Sequence, residues 1–318
     1  MATASIGLSE KQIALRQGGI GASEVAAVVG LVPGAIDVWQ RKVGLAEPFE
    51  GSSLTEFGHR VERVIGEAWA ERHPGKRIYT PGTLRHPQHD WALASPDRVV
   101  APPGAGRPAR EIWEQLLEIK TVFFSGSDYG EEGTDQVPEK HLVQVAWQLA
   151  VTGLQSATLV ALVNGDYREY PISRDPELEE MLLEQAGAWW QRHVVGGEAP
   201  PADGSDAYAG YLRRRYPADM LPPLDLTPEL DDLVSKVKDA KSRLKALEAE
   251  ESALTAQLKA SIGEAAGILG ACTWKANKGT PKTDWEAVAQ AAGASPGLVQ
   301  QFTVLRPGAR VLRFTKEK

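Results

Sequence analysis

Asp97, in the stretch LASPDRVV, and Glu118 with Lys120, in LLEIKTV, are residue types that can do chemistry if the chain brings them together. A strand alternates its faces, so Glu118 and Lys120 point to one side while Leu117 and Ile119 point to the other. Asp97 stands at a strand-to-turn corner created by Pro96, and a hairpin across PPGAGRPAR would set it beside Glu118, with Lys120 one pleat along. Two converging carboxylates and a lysine can hold Mg²⁺ or Mn²⁺, which favour oxygen ligands and keep waters. Such a metal polarises a phosphate and acidifies a bound water, while the ammonium positions that water and neutralises developing charge. The same residues also suit an ordinary turn and a solvated strand edge, so their neighbours must decide.

Glu62, on a helix ahead of these strands, could add a third carboxylate, or be an exposed helix acid. Gln144 lies in the apolar run LVQVAWQLAV with Gln148 on the same face, and amides in such a setting need partners. Either a core hydrogen bond or a site contact would supply them. Arg16 precedes QGGIGASEVAAVVG, where glycines lead to Ser23 near a helix N-terminus. Backbone N–H groups, a hydroxyl and an arginine there suit a phosphate, although the turn alone could be a simple helix entry.

The elements that must position these residues follow from pattern. SEVAAVVGL and AIDVWQRKVGL read as two short helices, and EFGHRVERVIGEAWAERHPG as a longer amphipathic one. KRIYT, WALASPDRVVA and WEQLLEIKTV read as strands, and PEKHLVQVAWQLAVTG as a helix with Pro138 near its start. SATLVALVNG and YREYPIS form a hairpin across Asn164-Gly165-Asp166, and DPELEEMLLEQAGAWWQRHVVGG closes the region as a helix. Strands covered by helices predict an α/β domain with a mixed central sheet over residues 1–200.

Residues 201–224, rich in Gly, Pro, Ala and Asp, read as a connector. Over 225–264, Leu226, Leu230, Leu233, Val237, Ala240, Leu244, Leu247, Leu254 and Leu258 recur at four-three spacing, interrupted at Glu251, which predicts a coiled-coil-like helix. Residues 265–318 suggest strand, helix, strand in a small terminal α/β module.

Composition narrows the class. The chain has 318 residues, 42% hydrophobic and 24% charged, as expected of a soluble globular protein. One cysteine, Cys272, excludes a disulfide framework and a four-thiolate metal site, and suits a reducing cytoplasm. No apolar run is long enough for a membrane span, and the N-terminus lacks a signal pattern. A net charge of −7 argues against a simple wrapping nucleic-acid binder, not against an enzyme with a basic groove and metal-holding acids.

Arg16 with GGIGASE, then FGHRVE, ASPD, LLEIK and HLVQVAWQLAVTG, in that order, resemble the YqaJ-like viral recombinase family. This is the phage-type exonuclease group that includes lambda exonuclease, within the PD-(D/E)xK nuclease superfamily, and the resemblance covers roughly residues 10 to 200. It implies a restriction-endonuclease-like mixed sheet flanked by helices, and a Mg²⁺-dependent exonuclease (Mn²⁺ being an alternative) acting on double-stranded DNA ends in phage or prophage recombination. By the same resemblance Asp97, Glu118 and the Ile119 carbonyl would be metal ligands, with Glu62 supporting the metal site. Lys120 would serve the attacking water, and Gln144 would match the glutamine of the following helix. Arg16 and Ser23, with Ser95 as a helper, would grip a DNA phosphate. A ring-shaped homo-oligomer such as a trimer, and a single-strand annealing protein as partner, are further implications. Two departures stand out: Glu24 follows Ser23 where the family commonly has Asp, and TVFFSGSDYG lacks the arginine that lambda-type enzymes place there.

Other features read more plainly. Trp147, Trp189 and Trp190 fit packing, and His86 with His89 lack zinc spacing beyond a loop pair. YLRRRYP is a basic run between aromatics that could touch a DNA backbone or be a solvated connector. A structure-directed or nonspecific endonuclease of the same fold, a catalytically silent DNA-binding subunit and a coiled-coil assembly protein are the competing readings. The last would leave the acidic constellation unexplained.

Overall fold

The computed structural model describes residues 10–46, 53–104, 108–122, 128–276, 278–279 and 283–302. The chain divides into two compact units, Met1–Arg215 and Tyr216–Lys318.

The first unit opens with α1 (Glu10–Gln17), β1 (Ile20–Gly21), α2 (Ala22–Val28), α3 (Ala35–Lys42) and α4 (Ser53–Arg72). The strands β2 (Arg77–Tyr79), β3 (Leu84–Arg85), β4 (Ala92–Ala94), β5 (Arg98–Ala101) and β6 (Gln115–Val122) follow. Then come α5 (Glu139–Thr152), β7 (Ser156–Val163), β8 (Asp166–Ser173), α6 (Pro176–Trp189) and α7 (Asp206–Arg215). The main sheet has the order β2-β5-β6-β7-β8. Only β6 and β7 are parallel, because α5 crosses between them; the other neighbours are antiparallel. The expected mixed sheet flanked by helices is present.

Alternation along β6 sorts the core. Leu117 and Ile119 join Val100 and Val160 against Ile65 and Trp69 of α4. Leu116 joins Val99, Leu159 and Tyr170 against Val145 and Leu149 of α5. Glu118 and Lys120, in phase with Leu116, therefore face α5. The β7–β8 hairpin turns on Asn164 and Gly165, both at positive φ (52° and 98°), the two-residue turn that Asn-Gly favours.

WALASPDRVVA, read as one strand, is broken at Ser95-Pro96. Its first part is β4, which pairs with β1 and β3 in a separate small sheet, and its second part is β5 of the main sheet. Proline lacks the N–H that a ladder needs, so the chain changes sheets there. The parallel pairing of β1 with β4 also fixes the glycine turn. Ile20 N–H donates to the Trp91 carbonyl at 2.6 Å, and a Cβ on Gly19 would lie 2.4 Å from that same oxygen. Gly19 is required by this close approach. Part of the stretch read as a connector, Asp206–Arg215, is helical, with Tyr208 and Tyr211 packed on the core around Trp39.

In the second unit α8 (Pro228–Ile262) is a 35-residue helix capped by Thr227, whose hydroxyl accepts from Leu230 N–H at 3.3 Å. Its Leu233, Leu244, Leu247 and Leu254 are exposed. A small antiparallel hairpin of β9 (Gly267–Ile268) and β10 (Cys272–Thr273) precedes the short helices α9 (Trp285–Ala291) and α10 (Pro296–Gln301). The strand expected at RVLRFTKEK lies outside the described residues.

Candidate active site

Register places the acids. Arg98 is opposite Leu117, so Asp97, one residue earlier, comes level with Glu118 on the adjacent strand. Asp97 Oδ2 accepts the Ile119 N–H at 2.8 Å, which fixes its carboxyl against β6. Glu118 is 2% exposed. Its Oε1 accepts from Lys120 Nζ at 2.7 Å and from Gln144 Nε2 at 2.5 Å, and its Oε2 accepts from Gln148 Nε2 at 2.8 Å. Gln144 Oε1 in turn accepts from Lys120 Nζ at 3.0 Å. One amide thus clamps both the acid and the base. Gln144 and Gln148 are one helical turn apart on α5, the face that packs on β6.

The charges do not balance. Burial, then the neighbouring Glu118 and Glu62 charges, push the Asp97 carboxyl well above the usual range. Burial works against the Lys120 ammonium, but Glu118, Asp97 and Glu62 outweigh it and raise its pKa, so the lysine stays protonated. His141, one turn before Gln144, is pushed down to about 3 by burial and by Lys120 and Lys140, and is neutral.

Arg16, Ser23, Glu62, Ser95, Asp97, Glu118, Ile119, Lys120 and Gln144 all line one cleft of about 440 Å³. Glu62 reaches it differently from the other acids. It stands on α4, across the sheet from α5, and its Oε1 accepts from Arg98 Nη1 at 2.9 Å. Arg98 follows Asp97 and so points to the α4 face, where it meets Glu62 at the strand end. Among the described residues no set of three or more Asp, Glu, His or Cys side chains is gathered as a metal cage. Asp97 and Glu118 are the close pair, and Glu62 adds charge from the wall.

The opposite wall is α2. Gly21 N–H donates to Glu24 Oε2 at 2.9 Å, so Glu24 caps the helix start beside the exposed Ser23. Glu24 also pairs with Lys42 at 2.6 Å and Arg41 at 3.3 Å, and Lys42 Nζ donates to the Arg16 carbonyl at 2.7 Å. The extra methylene of Glu over Asp has a use here, reaching two partners and a cap. Burial lowers the Lys42 pKa despite Glu24. Ser95 Oγ lies 2.8 Å from Thr83 Oγ1 across the small sheet.

Sequence reasoning missed Lys42, Arg98 and Thr83, and gave Gln148 no role. Their partners are distant in the chain, and only the apolar setting of Gln148 signalled a required partner. His86 and His89 stack at 4.9 Å, and His86 Nδ1 accepts from two backbone N–H groups, a local turn device. Trp147 is fully buried, with Nε1 donating to the Leu93 carbonyl.

A mixed sheet that presents acids and a lysine from adjoining strands, clamped by a helix amide, defines a class, and comparison supplies the family. Residues 13–155 match the YqaJ-like viral recombinase domain. The protein described as uncharacterized protein YqaJ of Bacillus subtilis (strain 168) is 30% identical over 275 residues, 82% of this chain and 81% of that one. The chain belongs to the YqaJ-like viral recombinase family. Similar solved structures include an alkaline exonuclease (LHK-Exo) from Laribacter hongkongensis, 19% identical with a TM-score of 0.43 over 65% of this chain and 97% of that one. A phage-related exonuclease from Haemophilus somnus 129PT is 12% identical, with a TM-score of 0.41 over 57% of this chain and 96% of that one. No helix among the described residues is long and apolar enough to cross a membrane.

Proposed function

We propose that this protein is a Mg²⁺-dependent exonuclease that hydrolyses phosphodiester bonds of linear double-stranded DNA during phage or prophage recombination. The observation that carries this reading is the pair of adjoining carboxylates, Asp97 and Glu118, sharing one face with a protonated Lys120. The residues fit the metal. Asp97 is raised by burial and then by the neighbouring Glu118 and Glu62 charges, against the opposing pull of Lys120, and a divalent cation would favour its charged form. Mg²⁺ takes one or two carboxylates and keeps several waters, so a two-carboxylate site without a full cage suits it. Asp97, Glu118 and the Ile119 carbonyl would hold it, with Glu62 adding negative charge from the wall. Bound there, the metal would polarise the scissile phosphate and acidify a water.

The chain's own residues do the rest. Lys120, charged and fixed by Glu118 and Gln144, donates hydrogen bonds rather than accepting a proton, which orients the attacking water and offsets charge on the phosphate oxygens. Gln144 keeps Glu118 and Lys120 in one geometry. Arg16 and the exposed Ser23 at the start of α2 form a phosphate grip, with Ser95 beside it. The exposed leucine stripe of α8 supports self-association through this helix, an assembly suited to keeping hold of DNA.

End-labelled linear duplex, with and without a 5′-phosphate, and closed circular DNA are incubated with Mg²⁺ or EDTA. Mg²⁺-dependent loss of linear DNA with circles spared is expected. Nicked or linearised circles would replace the exonuclease with an endonuclease of the same fold. Digestion by Lys120→Ala at the parental rate would remove the site assignment altogether. For α8, Leu244→Glu/Leu247→Glu is expected to lower the sedimentation coefficient relative to the parent.

A further inference from the structure

The leucine stripe of α8 is broken at two places, Ala240 and Glu251, and the breaks bear on what covers it. Counted in heptads, Leu230, Val237, Leu244, Glu251 and Leu258 fall at position a. Leu233, Ala240, Leu247 and Leu254 fall at position d. Leu233, Leu244, Leu247, Leu254 and Leu258 are exposed, and Val237 is half-buried. The stretch from Leu233 to Leu258 exceeds three heptads, enough to specify a coiled coil. Within it Ala240 leaves a hollow, and Glu251 adds a carboxylate.

Two parallel copies in register would set Ala240 on Ala240 and Glu251 on Glu251. The first contact is a void, and the second takes two like charges out of water. A parallel three-stranded bundle would gather three of each. In an antiparallel pair each a residue packs with a d residue of the partner helix. Centred between Leu244 and Leu247, such a pair sets Leu244 on Leu247, Val237 on Leu254 and Leu233 on Leu258. The same register sets Glu251 on Ala240, so the long side chain fills the hollow left by the short one.

Charge selects that register too. Antiparallel helices face g residues with g residues, and here Arg243 meets Glu250 once on either side of the two-fold axis. Sliding by one heptad brings Arg243 onto Arg243, and sliding the other way brings Glu250 onto Glu250. Arg243 pairs through Nε with Asp239 of its own helix at 3.1 Å, both residues being exposed. Exposed pairs of this kind are weak, and the Nη groups extend past it to a carboxylate on a second helix.

We propose that α8 pairs antiparallel with α8 of a second copy of this chain, about a two-fold axis between Leu244 and Leu247. The proposal rests on the reading that α8 self-associates, and it fixes the number, direction and register of that association. A two-fold contact uses the same patch on both copies and closes on itself, which makes the assembly through this helix a dimer.

Sedimentation equilibrium of the full chain, without DNA or Mg²⁺, tests it. The parent should fit twice the chain mass. Arg243→Glu and Glu250→Arg each turn both attractive contacts into repulsive ones and should raise the dimer dissociation constant about tenfold. Arg243→Glu/Glu250→Arg should return it to within a few-fold of the parent, and an equimolar mixture of the two single variants should dimerise as the parent does. A parallel pair would instead set Arg243 beside Glu248 and Glu250 beside Thr255. Glu250→Arg would then leave association intact and the double variant would stay weak. Either result, or three times the chain mass, overturns the proposal and leaves self-association through α8 standing. A monomeric parent overturns both.

Discussion

Glu118 and Glu179 are both buried carboxylates in the first unit, 2% and 3% exposed, yet their surroundings differ in kind. Glu179 accepts from Arg174 through Nε at 3.0 and 2.9 Å and pairs with Nη2 at 2.8 Å. Burial raises its pKa and the guanidinium opposes the rise, one charge against one. Glu118 has one ammonium, at 2.7 Å, which also answers to Asp97 and Glu62, and amides complete its shell. Burial alone therefore does not mark a site in this protein. A carboxylate cluster held short of neutrality does, because the fold has spent stability on keeping charges together.

The largest expected effect separates the two glutamates by activity. Glu118→Gln should lower single-turnover hydrolysis of linear duplex at least about 10²-fold, while Glu179→Gln should stay within a few-fold of the parent. Equal losses would collapse the contrast. Stability should then reverse the ranking. Arg174→Ala strands Glu179 without its counter-charge and should cost about 3–5 kcal/mol, lowering the calorimetric midpoint by on the order of 10 °C.

A smaller cost is expected from Gln148→Leu, which leaves Glu118 Oε2 without its donor, about 1–3 kcal/mol. Combined with Glu118→Gln that cost should shrink, since the stranded charge has gone, and a double-mutant cycle reads the coupling. The smallest effect has the opposite sign. The Asp97 carboxyl is raised by the fold, so the fold favours its protonated form. That contribution is full below the ordinary value of 3.8 and is lost as pH rises through the raised value. Asp97→Asn should therefore melt a few degrees above the metal-free parent, with the gap widening as pH rises between those limits. Added Mg²⁺ should raise the parent's midpoint and leave the variant's unmoved.

Much of this contrast was legible in the chain. LLEIKTV carries its own face assignment, since strand alternation sends Leu117 and Ile119 to α4 and Glu118 and Lys120 to α5. Asn164-Gly165 named its turn, and the apolar setting of Gln144 and Gln148 announced that those amides needed partners. The sheet change at Ser95-Pro96 was less legible, because a proline forbids a ladder bond without saying which sheet resumes after it. Arg98 meeting Glu62 across 36 residues, and Lys42 meeting Arg16 across 26, left no local trace. Such pairs depend on which long-range neighbours the register delivers.

By itself, then, the sequence determined the periodic features: which residues of each strand share a face, where helices start, and which polar side chains sit in apolar company. These are properties of a few consecutive residues and of backbone sterics. Only the tertiary structure decided that Asp97 stands level with Glu118, that Glu62 approaches from the opposite layer and is taken by Arg98, and that α7 docks beside α3. Those outcomes are set by strand register and layer packing, where one residue's shift would turn every side chain to the other face.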